Sequence, residues 1–156
     1  MKIGKLKYGV YGGLAGGLVF GGMMGMMGML ITIGQMAGMP SPVWGFVVHM
    51  MISAFIGSTF AVLFDAHVTN KKTGTTLGLL YGGIWWFLGP LTLMPLLMGM
   101  GLGANWSLSA VVQMFPSLIG HLIYGAILGC TYAWLGQTEE LDAAADFHKV
   151  GSILRL

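Results

Sequence analysis

Two histidines stand inside segments that otherwise read as lipid-soluble helix: "VHMMISAFIG" at 48–57 holds His49, and "GHLIYGAILG" at 120–129 holds His121. Ionisable residues at membrane depth are costly, and their presence defaults to a functional hypothesis. Three chemistries compete. Each imidazole can bond to a carbonyl or hydroxyl of another helix and lock the packing. The pair can act as axial ligands of a b-type haem, or hold a metal, because two imidazoles at equal depth suit axial ligation. The pair can also belong to a proton or ion path. For a path the remaining polar residues are few: Ser53, Ser58, Thr59, Thr92, Gln113 and Thr131, with no acid, Lys or Arg in the spans. The haem reading contains a conflict, since small residues that would admit a porphyrin also invite helices to close directly. The rings could equally face outward, toward ligands held between this chain and a neighbour.

Those residues need spans to position them. The chain of 156 residues is 56% hydrophobic and 8% charged, with mean hydropathy +0.81. A soluble domain has about 25% charged residues, so the composition is that of an integral membrane protein. A span takes about 20 mostly apolar residues. Four segments qualify, at about 8–34, 44–64, 75–100 and 112–135, making one transmembrane domain over 1–136 and a tail over 137–156. The apolar run behind "MKIGKLKYGV" continues to about Gly34, too long for the ~7–15-residue core of a signal peptide, so it reads as the first span. All seven Lys and Arg (Lys2, Lys5, Lys7, Lys71, Lys72, Lys149, Arg155) and all five acids fall on one side of these spans. The positive-inside rule makes that side cytoplasmic, with N and C termini both inside. Trp44, Trp106 and Trp134 fall near span ends, where interfacial anchors belong. Asp65, His67 and His148 read as solvated interface residues, and the tail as a short helix lying on the membrane or on a partner. The single Cys130 excludes an internal disulfide, and the net charge of +2 gives no reason to expect nucleic acid.

The chain also repeats itself. Aligning His49 with His121 pairs Gly45 with Ser117, Ser53 with Gly125, Gly57 with Gly129 and Ala61 with Ala133. Positions four apart share a helix face, so each span has a small-residue stripe interrupted by its histidine. "YGGLAGGLVF" at 11–20 aligns with "YGGIWWFLGP" at 81–90 at an offset of 70. Two duplicated hairpins, about 8–65 and 75–136, would then face the same way about a pseudo-twofold axis along the membrane normal, a parallel repeat of the kind some transporters use. The first span adds Gly9, Gly13, Gly17, Gly21 and Gly25 in one row, widened by Gly12 and Gly16. Small residues drive helix association in lipid, so Gly13, Gly17, Gly21, Ser53, Gly57, Gly125 and Gly129 are packing candidates. So much close-contact surface exceeds what four helices need, which points to other membrane subunits or self-association.

"PSLIGHLIYGAILG" and "YGGIWWFLGPLTLMPLLMG" resemble small four-span proteins of the YagU-like type, over most of residues 8 to 135 and not the tail. The resemblance implies four helices in the inner membrane of a bacterium or archaeon, and no established activity.

Two further features bear on ligands. "MMGMMGM" at 23–29, with Met50, Met51, Met94, Met98, Met100 and Met114, would gather near the outer leaflet. Thioether plus imidazole is a copper(I) set, although methionine is also ordinary flexible core filler. The third span holds Gly89-Pro90 and Pro95, which should kink or partly unwind it. Trp85 and Trp86 lie just before the break, and with Pro90 they could line a pocket for a quinone, pigment or lipid headgroup. No enzyme signature is present: there is no metal-protease motif, no phosphate loop, no nucleophile with a base, and "GGLAGG" lies in a span rather than a strand–turn–helix unit. The reading is an all-α, non-enzymatic four-helix membrane protein, most simply a small accessory subunit of a larger respiratory or photosynthetic complex. The alternatives are an electron-transfer protein using His49 and His121, and a small transporter or channel using the broken third span.

Overall fold

A computed structural model describes residues 5–153, with side chains given through Glu139 and at Leu141. The described residues form helices and loops with no strand: α1 (Leu6–Met26), α2 (Leu30–Met36), α3 (Pro42–Phe64), α4 (Lys71–Leu88), a π-helical turn (Gly89–Leu93), α5 (Met94–Leu97), α6 (Leu108–Gln113) and α7 (Phe115–Ile153). Four stretches are long and apolar enough to cross a membrane: Leu6–Met26, Pro42–Phe64, Lys71–Leu97 and Phe115–Glu139. The chain is therefore a multi-pass membrane protein by the length and composition of its helices.

Three span boundaries differ from expectation. The first span stops at Met26 rather than Gly34, because the chain turns at Gly28, whose φ of +71° suits a residue without Cβ. "MMGMMGM" thus ends α1 and makes the turn that follows it, with Met24 buried and Met26 and Met27 projecting outward. The seven residues of α2 then fold back onto the start of α3, where Gly45 lies on the Leu30 carbonyl. The third span begins at Lys71, where Asn70 and Thr73 form a reciprocal capping box, and it ends at Leu97. Finally, no separate tail helix starts at 137. The backbone of α7 runs on to Ile153 through "QTEELDAAAD", a stretch of good helix formers with neither Gly nor Pro. The side chains of His148 and of most of the tail are not described.

Helices pair through glycine. Gly9 and Gly13 of α1 meet Gly57 and Ser53 of α3, and a Cβ on either glycine would run into a backbone carbonyl. Gly17 lies against Ser53, and Gly21 against Phe46 and His49. In the other pair, Gly74, Gly78 and Gly82 of α4 meet Gly129, Gly125 and His121 of α7 at equally close range. The α3 and α7 stripes correspond at an offset of 72. The partner glycines correspond at 65 (Gly9 to Gly74, Gly13 to Gly78), not at the 70 that the Tyr-Gly-Gly match suggested. The match at 70 aligned similar letters, whereas contact aligns the residues that permit close approach.

The two pairs join along seams of different width. α1 packs directly on α7, with Gly12 against Leu128 and Gly16 against Tyr124. α3 and α4 make almost no close backbone approach. At the 65-residue offset, Leu77 and Tyr81 stand where Gly12 and Gly16 stand in α1, so this second seam is propped open by side chains. Phe60, Phe64, Tyr81 and Tyr132 fill it, with ring centroids 5.1–5.6 Å apart. Most glycines of α1 are taken up inside the chain: Gly9, Gly13, Gly17 and Gly21 face α3, and Gly12 and Gly16 face α7. Gly22 and Gly25 stay exposed.

Substituting Gly13 or Gly78 with Val should lower stability by about 3 kcal/mol or more, because backbone blocks the added carbons. Gly83→Ala, with nothing within 4 Å, should be neutral or slightly stabilising. Thermal unfolding in mild detergent distinguishes the two classes.

Candidate functional site

The helix starts set the depth of the histidines. Ser41 caps α3 by accepting from the Trp44 amide, and Pro42 occupies the first turn. His49 lies seven residues in from that start, and His121 lies six in from the start of α7. At 1.5 Å per residue both lie roughly 10 Å from the loop end. Phe20 lies six residues from the loop end of α1. The three rings meet: Phe20 packs edge-on to His49 at 5.6 Å and to His121 at 4.7 Å between centroids. The phenyl ring is seated over Gly120, where a Cβ would collide with it.

The two imidazoles are used differently. His49 is buried, and its Nε2–H donates to the Gly17 carbonyl across to α1 at 3.0 Å. His121 turns back on its own helix: Nδ1–H donates to the Ser117 carbonyl at 2.8 Å, with the Ser117 hydroxyl 3.4 Å away. A carbonyl can only accept, so the proton is on Nε2 of His49 and on Nδ1 of His121. The nitrogen left bare on His121 faces Gly89, at the break in the third span, 3.8 Å from where a Cβ would stand.

A haem shared by these two residues does not fit this arrangement. Phe20 occupies the space between the rings, and the close contacts of Gly12, Gly16 and Gly120 hold α1 against α7. Of the two outcomes open to the small residues, admitting a porphyrin or closing up, the helices have closed up. No group of three or more His, Cys, Asp or Glu side chains converges among the described residues.

The broken third span is also filled. Pro90 has no amide to give, and the Met94 amide bonds instead to Gly89, which produces the π turn. The Pro90 carbonyl accepts from Asn105 Nδ2 at 3.3 Å. Thr92 bonds back to the Phe87 carbonyl and receives Trp106 Nε1. Trp86 Nε1 donates to the Met114 carbonyl at 3.1 Å. Trp85 Nε1 is buried without a partner among the described residues. Two surface grooves lie elsewhere: one between α1 and α3 along Leu14, Phe46 and Met50, the other near Lys5 and Tyr132. Of the residues proposed to line a pocket, Trp86 and Pro90 have hydrogen-bond partners within the chain, and Trp85 Nε1 has none among the described residues.

Several residues that matter here left little trace in the sequence. Tyr124 donates to the Ser53 carbonyl at 2.8 Å, and Tyr81 reaches both the Ile56 carbonyl and Thr59, so each ties one hairpin to the other. Asp65 is not merely a solvated span end. It accepts the Tyr132 hydroxyl at 2.8 Å and the Lys5 ammonium at 3.4 Å, joining the ends of α1 and α3 to α7. His67 is exposed, as is Lys7, which lies 3.8 Å from Glu139. Ser58 and Thr59 bond to carbonyls of their own helix, and among the described residues no chain of hydroxyls links them to the histidines. No known protein family, curated protein or solved structure matches this chain.

His49→Leu should cost about 1 kcal/mol by removing an interhelical bond, while His121→Leu should cost less because its bond is to its own helix. Phe20→Ala should cost more than either, about 3 kcal/mol, through the cavity it leaves. Unfolding midpoints of the three variants in one detergent check the order.

Proposed function

We propose that this chain is a non-enzymatic structural module of a bacterial or archaeal inner membrane: a small accessory subunit of a larger respiratory or photosynthetic complex, with both termini in the cytoplasm. The carrying observation is how its buried polar groups are used. His49, Tyr81, Tyr124, Trp86 and Asn105 each hold one segment to another. Between them is close packing rather than a continuous polar route. A transporter would need such a route, and an electron-transfer protein would need space where Phe20 now stands. The YagU-like resemblance agrees with this placement and adds no activity.

Duplication of a helical hairpin is part of the reading. The stripes of α3 and α7 at offset 72, and the glycines of α1 and α4 at offset 65, make the same contacts twice. In this view the second copy lost Gly12 and Gly16 equivalents and gained Leu77 and Tyr81. Partners would meet the outer surface, where Gly22 and Gly83 have no atom within 4 Å.

Purification from the native host in mild detergent should yield the chain with one or more membrane proteins in fixed stoichiometry. Gly83→Leu should weaken that association without unfolding the chain. Recovery as a stable lone monomer would sink the proposal.

A further inference from the structure

The end of the molecule that bears the two interhelical loops, 27–41 and 98–114, has an unusual surface. Residues 8–64 and 73–138 contain no Asp, Glu, Lys or Arg, so this end is uncharged. The side chains it presents are large and apolar: Met26 is 84% exposed and Leu108 79%, and Met27, Met39, Met100 and Leu102 are each more than half exposed. Several of its polar side chains are taken up within the chain: Ser41 and Ser107 cap helices, Asn105 serves the Pro90 carbonyl, and Trp106 serves the Thr92 hydroxyl, while Gln35 and Gln113 are exposed. An uncharged, largely apolar exterior with few free polar side chains suits the membrane boundary rather than bulk water.

Helix length says where this end lies. α1 has 21 residues and α3 has 23, or about 31 and 34 Å at 1.5 Å per residue. With a typical tilt of about 20°, such helices cover roughly the 30 Å hydrocarbon core and little more. Lys5, Asp65, Lys71 and Lys72 hold the opposite end at one headgroup layer. The loops then stop inside the other headgroup layer, short of bulk water.

We infer that the loop end is sunk in lipid, and that the protein meets water at its charged end alone. The occupant of this apolar cap is the acyl–headgroup boundary of the membrane itself. Anything that reaches the Phe20–histidine cluster must then come through the membrane plane or from the charged side. The inference rests on the chain being a membrane protein, but not on its having a partner.

The test uses the full chain in lipid nanodiscs, one copy per disc, so that both faces meet the same solution. In a Cys130→Ser background, single cysteines replace Met27, Met39, Leu102 and Leu108, with Lys71→Cys and Thr138→Cys as controls at the charged end. A membrane-impermeant maleimide should label the controls at least ten times faster than the four loop positions, and all six equally once the protein is unfolded in sodium dodecyl sulfate. Hydroxyl-radical footprinting of the unsubstituted chain in the same discs should leave Met26, Met39 and Met100 unmodified. Loop cysteines that react as fast as the controls would overturn the inference. So would loop cysteines that are slow in native membranes but fast in nanodiscs, since a protein partner would then be the cover.

Discussion

The structure depends on one contact, the approach of two helix backbones with no side chain between them. In lipid, apolar side chains gain little from leaving their surroundings, so association relies on packing and on a few hydrogen bonds. Gly9 and Gly13 against Gly57, and Gly78 against Gly125, bring carbonyls to where a Cβ would otherwise stand. That closeness has consequences for the rest of the bundle. It puts the Gly17 carbonyl within reach of His49, and it lets Phe20 lie between the two histidines. A larger residue on either stripe would separate the helices and lose these contacts together.

The second level of organisation is the difference between the seams. Gly12 and Gly16 close α1 onto α7, while Leu77 and Tyr81 hold α4 away from α3. The wider seam is filled by aromatic rings and stitched by Tyr81 and Tyr124, whose hydroxyls serve carbonyls of α3. At the charged end, Asp65 gathers Lys5 and Tyr132. These polar groups lie where a helix–helix contact needs a fastening, which helps so apolar a chain settle on one arrangement.

Much of this was legible in the sequence because membranes impose simple rules. Twenty-residue apolar runs located the four spans, and the small-x3-small spacing located the contact faces of α3 and α7. The break expected from Gly89-Pro90 and Pro95 appears as a π turn, since proline removes a donor wherever it stands. Other features were misread for physical reasons. The first span looked longer because Met, Leu and Ile are as apolar in a turn and a returning helix as in a span, and only the positive φ of Gly28 separates them. The Tyr-Gly-Gly alignment failed because letters can match at a register where the backbones do not meet. Much of the glycine surface of α1 is used within the chain because two rows on one helix can serve two different neighbours, while Gly22 and Gly25 stay exposed.

The sequence by itself determined the class, the number of membrane-length helices, the gathering of the described charges at one end, and the pairing of each histidine with a small-residue face. These depend on local composition and on helical periodicity, which need no knowledge of neighbours. Tertiary structure decided what those faces touch. Phe20, 29 residues from His49 and 101 from His121, carries no sequence mark distinguishing it from a lipid-facing phenylalanine. It fills the space between the imidazoles only because glycine lets α1 lie close to both α3 and α7. Whether two histidines bind something between them or close over a phenyl ring depends on the separation of helices distant in sequence, and that distance is a property of the packed bundle alone.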